Sequence, residues 1–230
     1  MLKLFNANKN NFSKKLELIL NLRKLKQQNQ STAIKKILSE VKKKGDKAVI
    51  KFEKKFSNKK LKNKQIKFSK EEINIISKKI NKDLKRSIDI AFSRIKKFHL
   101  KQKISPFKYK DRFQNELSYR YSPIERVGVY VPGGTASYPS TVLMNCIPAL
   151  VAGVKNIYLT TPALGSSVNP AIIYAAKKCG VKEIYKTGGA HSIAALTYGT
   201  RTFKKVNKIV GPGNAFVASA KKEVFGDVGI

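Results

Sequence analysis

Apolar residues recur at helical spacing through most of the first hundred positions. Phe12, Leu16, Ile19, Leu20 and Leu22 fall among lysines and predict a short surface helix over 12–26. Ser31 and Thr32 then stand where a cap belongs, ahead of Ile34, Ile37, Leu38 and Val41. Gly45 ends that second helix, and Asp46 opens a third through Ala48, Val49, Phe52 and Phe56, which makes an αα-hairpin. Ser69 followed by Glu72 has the offset of a capping box, and residues 82–101 carry a further apolar stripe at Leu84, Ile88, Ala91, Ile95 and Phe98.

The period changes after Ser105 and Pro106, which favour a turn. Residues 116–131 read as strands and end in the apolar run Val127 to Val131. Beyond them, helices at 143–151, 170–178, 192–198 and 215–224 alternate with short β-rich runs at 157–160, 183–185 and 208–210. Such alternation specifies an α/β fold, with a parallel sheet covered by helices on both faces. A helix-rich amino-terminal section, 1–115, precedes this α/β domain, 116–230.

Charge follows the same division. Residues 1–120 carry 36 Lys and Arg against 10 acids, and residues 121–230 carry 12 against 4, within a formal net charge of +34. So basic a chain raises nucleic acid as a partner. Only seven of the 48 cations are Arg, however, and phosphate clamps and groove readers favour the bidentate guanidinium. The lysines fall on the outward faces of the helices, where a solvated surface is the simpler reading. Nucleic acid is therefore the weaker account of the charge.

Cys146 and Cys179 have no metal-ligand spacing and are too few for a disulfide framework, so they read as buried free thiols of a cytoplasmic protein. The opening residues lack the apolar core of a signal peptide, and no run is long enough to span a membrane.

Candidate chemistry gathers where strands run into glycine-rich turns: Val129 to Gly134, Ile184 to Gly189 and Ile209 to Asn214. In an open α/β sheet these turns lie at the carboxyl edge, where glycines let backbone amides approach an anion and helix amino ends favour it. Gly211-Pro-Gly213-Asn-Ala-Phe216 approximates a dinucleotide fingerprint, with Phe216 in place of the third glycine. Of the two histidines, His99 reads as a surface or packing residue, and His191, just after Gly188-Gly189-Ala190, as a ligand contact. No serine-hydrolase elbow, H-E-x-x-H or Walker loop is present, and no complete zinc site can be built from these residues.

Five segments together resemble the histidinol dehydrogenase family in order and spacing. They are Glu125 to Gly134, Tyr138 to Asn145, Pro148 to Val154, Thr187 to Leu196 and Lys208 to Phe216, and from about residue 30 onward the chain follows the family. The resemblance implies an incomplete Rossmann-like domain and two successive NAD-dependent hydride transfers from L-histidinol to L-histidine. It further implies zinc holding the substrate, a glutamate and a histidine moving protons, and a homodimer in which each subunit contributes to the other's site. It places cofactor contacts on Tyr130, Asn214 and His191, the last standing where the family usually has glutamine. Its zinc ligands and catalytic pair are expected beyond residue 230, so no catalytic or metal residue is assigned in this chain, and these 230 residues alone are expected to be inactive. The open alternatives are a related NAD-dependent dehydrogenase of another small polar alcohol and a basic nucleic-acid-binding protein.

Overall fold

The computed structural model describes residues 7, 11–57, 65–133, 138–163 and 168–230, and of residues 22–30 the backbone alone. Gly134, part of the first glycine turn, lies outside the described residues. The chain runs through α1 (Phe12–Lys44), α2 (Asp46–Ser57), α3 (Lys70–Lys78), α4 (Lys82–Lys101), β1 (Phe107–Lys110), β2 (Glu116–Tyr119), β3 (Arg126–Tyr130) and α5 (Pro139–Val151). It continues through β4 (Asn156–Thr160), α6 (Pro170–Lys178), β5 (Glu183–Tyr185), α7 (Gly189–Tyr198), β6 (Lys208–Val210) and α8 (Ala215–Glu223).

Four strands form a parallel sheet in the order β5-β4-β3-β6. It is an incomplete Rossmann-like sheet, short of the six strands of the full arrangement. The alternation within each strand builds two cores. Val127, Val129, Ile157, Leu159 and Ile184 pack against α5 and α6, while Tyr130, Tyr158, Tyr185 and Ile209 pack on the side of α7 and α8. The amino-terminal helices complete both layers. Helix α1 lies on α7 and α8, α3 on α6 and α4 on α5.

Both sheet edges are partly paired, which limits their exposure as templates for another chain. Residues 66–68 run beside β5, with the Lys186 amide donating to Ile66 and the Phe68 amide to Ile184. Gly229 runs beside β6 and accepts the Ile209 amide at 2.8 Å.

Two local expectations are corrected. The helix over 12–26 and the one beginning at Ser31 are a single helix, α1, because no Gly or Pro interrupts residues 12–44. Ser31 does not cap it; its hydroxyl donates to Glu223 Oε1 on α8 at 2.7 Å. Ahead of the strands read over 116–131 lies an additional one, β1, which pairs with β2 as an antiparallel hairpin whose eight strand residues are all exposed. The other breaks hold: the Ser69 and Glu72 capping box is formed in both directions, and Gly45 ends α1 with φ +55°.

Candidate functional site

Strand order reverses between β3 and β6. From β3 the chain steps outward to β4 and β5, then crosses back to place β6 on the other side of β3. Loops leaving the carboxyl ends of such a pair diverge and open a crevice, the usual ligand position in an open α/β sheet. A cavity of about 710 Å³ lies there, within the range of small-molecule and cofactor sites. Tyr130 and Pro132 follow β3 into it, Gly188 to His191 enter from α7, and Asn214 and Phe216 from α8. Helices α1 and α2 close it with Ile37, Phe52, Phe56 and the lysines Lys36, Lys51 and Lys55.

Tyr130, His191 and Asn214, chosen from three separate motifs, therefore line one cavity. Tyr130 is buried at the end of β3, and its hydroxyl accepts the Gly189 N–H at 3.1 Å. Burial raises its pKa, the Gly189 amide opposes the shift, and the nearby charge of Glu53 adds to it, so the phenol is neutral near pH 7. Having accepted from Gly189, the hydroxyl keeps its own proton to donate. Asn214 is the N-cap of α8, where Oδ1 accepts the amides of Phe216 and Val217 at 3.1 Å each and leaves the Nδ2 protons for a ligand.

His191 sits at 2 % exposure against Phe52 and Phe56, with Nε2 2.9 Å from Oε1 of Glu53, itself 1 % exposed. The same carboxyl oxygen accepts the Gly188 N–H at 2.9 Å. Burial by itself would raise the pKa of Glu53. The hydrogen bond and charge of His191, with the Gly188 amide, outweigh burial and hold the carboxyl below its ordinary range.

Sequence reasoning passed over Glu53. A signal existed, because Val49, Phe52, Glu53 and Phe56 fall at i, i+3, i+4 and i+7, which puts an acid on the buried face of α2. At one of the three glycine turns the amides are not open to an anion: those of Gly188 and Gly189 are taken by Glu53 and Tyr130. In the first turn of α8 the Phe216 and Val217 amides are taken by Asn214. His99 lies away from the cavity near the end of α4, half-buried, with Nδ1 2.6 Å from Gln102 Oε1.

Among the described residues no three His, Cys, Asp or Glu side chains converge as a metal site. Cys146 and Cys179 are both buried between α5 and α6, where a hydrogen bond donated by the Cys146 thiol to Cys179, together with burial, pushes that thiol well up. No helix among the described residues is long and apolar enough to cross a membrane.

The family model described as histidinol dehydrogenase matches residues 20–230. The chain belongs to the histidinol dehydrogenase family. A histidinol dehydrogenase of Pelagibacter ubique is 51% identical over 230 residues, all of this chain and 53% of that protein. One from Sulfurisphaera tokodaii is 49% identical over 199 residues, 86% of this chain and 48% of that protein. The crystal structure of histidinol dehydrogenase from Elizabethkingia anophelis superposes with a TM-score of 0.83 at 39% identity, covering 86% of this chain and 46% of that one. The chain thus spans about half the length of the relatives it matches.

Proposed function

We propose that the protein to which this chain belongs is an NAD-dependent, zinc-requiring histidinol dehydrogenase, and that these residues form its dinucleotide side. In this reading it converts L-histidinol to L-histidine as a homodimer in the cytoplasm. The observation that carries the reading is the convergence of Tyr130, His191 and Asn214 on one cavity at the reversal of strand order.

The cavity fits the dinucleotide in size and in chemistry. When bound, the cofactor supplies a hydride acceptor. Tyr130 contributes a neutral hydroxyl proton at the end of β3, and Asn214 contributes the Nδ2 protons at the start of α8. Pro132, Phe52, Phe56 and Phe216 provide apolar surface that excludes water around a ring system. The described residues offer no donor set for zinc, so no step is assigned through the metal.

The test is titration of the full-length gene product with NAD+, followed by assay on L-histidinol. NAD+ binding that Y130F and N214A each weaken about tenfold, equivalent to ~1.4 kcal/mol, is the expected result. Absence of NAD+ binding at millimolar concentration overturns the cofactor assignment. Binding without turnover of L-histidinol moves the substrate to another small polar alcohol.

A further inference from the structure

One buried acid behind the cavity wall, bonded to the lining residues Gly188 and His191, has no part in the proposed chemistry. Glu53 comes from α2, yet it bonds two groups of the distant α7 turn: the Gly188 N–H, 135 residues away in sequence, and the His191 ring, 138 away. Gly188 is the N-cap residue of α7 and has no side chain to close that helix end. A helix amino end with unspent amides attracts an anion, a phosphate among them. Here the anion is part of the protein.

The rest of the turn is equally committed. The Gly189 amide belongs to Tyr130, and Pro162 packs so tightly beneath Gly188 that an added Cβ would lie 2.2 Å from its Cγ. The remaining ring nitrogen of His191, Nδ1, is buried near Gly189 and has no hydrogen-bond partner. A second anion at the Gly188 amide would have to displace the carboxylate oxygen already seated there at 2.9 Å. Cationic groups line the same cavity elsewhere. Lys36 and Lys55 reach it exposed from α1 and α2, while Lys51 is paired with Glu40 at 2.8 Å.

We infer that Glu53 is a specificity-determining residue that serves as the resident anion of the α7 turn, keeping ligand phosphate off Gly188 and Gly189. The ligand then packs an uncharged part over the turn and lays its anionic part along Lys36 and Lys55. That second placement rests on the dinucleotide reading; the role of Glu53 as resident anion does not.

The experiment is chemical rescue in the full-length gene product. Wild type, E53A and the milder E53S are melted in formate, inorganic phosphate and chloride at equal ionic strength, and phosphate binding is measured by titration calorimetry. Both variants are expected to melt below wild type, to gain several degrees in formate over chloride, and to bind phosphate in the millimolar range. In a K36E/K55E background, which removes the lysine site, the protein with Glu53 intact is expected to melt alike in all three salts and to bind none. Variants that ignore formate and phosphate, or a K36E/K55E protein with Glu53 intact that phosphate stabilises over chloride, overturn the proposal, and that arm decides even if E53A fails to fold. Ligand placement is read separately from K36E and K55E. Each is expected to weaken NAD+ at least tenfold at low salt, and unchanged affinity overturns the placement. If wild type binds no NAD+, the dinucleotide reading falls while the formate result still decides Glu53.

Discussion

The Tyr130 hydroxyl and the Gly189 amide, 59 residues apart, are joined by a 3.1 Å hydrogen bond that ties the end of β3 to the first turn of α7. Y130F keeps the ring and strands a buried amide, at a cost of about 1–3 kcal/mol. The melting temperature is expected to fall by roughly 5 °C. Calorimetry on the variant checks this, and an unchanged melt would show that the amide finds another partner.

Acid should weaken the fold through Glu53. Its folded-state pKa lies below the unfolded value of about 4.5, because the bond and charge of His191 with the Gly188 amide outweigh burial. Its contribution is complete above that unfolded value and is lost as pH falls through the lower folded one. E53Q removes the ionisation but keeps the shape. The stability advantage of wild type over E53Q is therefore expected to shrink between pH 5.5 and 3, as read by urea melts at each pH.

Gly211 leaves β6 with φ +100°, and a Cβ there would sit 2.1 Å from the carbonyl oxygen of Tyr130. G211A must both strain the backbone and push β3 away at the cavity. Overpacking of this kind costs about 1–3 kcal/mol before the left-handed φ is counted. The variant is expected to melt well below wild type and to lose NAD+ binding. G226A, with φ +99° but open space around the added carbon, is the control for φ strain alone.

Asp46, 7 % exposed at the start of α2, accepts hydrogen bonds from the Thr200 and Thr202 hydroxyls, the latter at 2.6 Å, and so anchors the loop after α7. D46A leaves both hydroxyls without their acceptor and removes an acid from the first turn of α2. A loss of roughly 3 kcal/mol is expected. D46N retains one acceptor oxygen and should recover part of it, as denaturant titration of the two variants would show.

Local rules made most elements legible. Helix α4, the capped start of α3, and strands β4, β5 and β6 follow from periodicity, caps and glycine stops that act within a few residues. Ser31 and Thr32 read as a cap because serine and threonine suit that position, whereas Ser31 bonds Glu223, a partner no local window contains. The alternation Phe107-Lys-Tyr-Lys110 is a period-2 signal, and Asp111 accepts the amides of Phe113 and Asn115 to close the hairpin turn. The turn signal of Ser105 and Pro106 just ahead of it masks that alternation. The lining of the cavity is legible where a motif carries it, at Tyr130, His191 and Asn214. Glu53 is not, since its meaning comes from α7 packing onto α2.

Helix α1 buries its apolar face against α7 and α8, and Ser31 meets Glu223 across 192 residues of chain. Such distant pairing delays folding, because chain must be closed into a loop before the contact forms. During synthesis at ~5–20 residues per second, α1 waits roughly 10–40 s for its partner to emerge from the ribosome. Through that interval Ile34, Ile37, Leu38 and Val41, core residues of the finished protein, have no surface of α7 or α8 to cover them. The nascent chain thus presents an amphipathic, lysine-rich helix early, which makes α1 the segment most in need of a chaperone while the sheet is still being made.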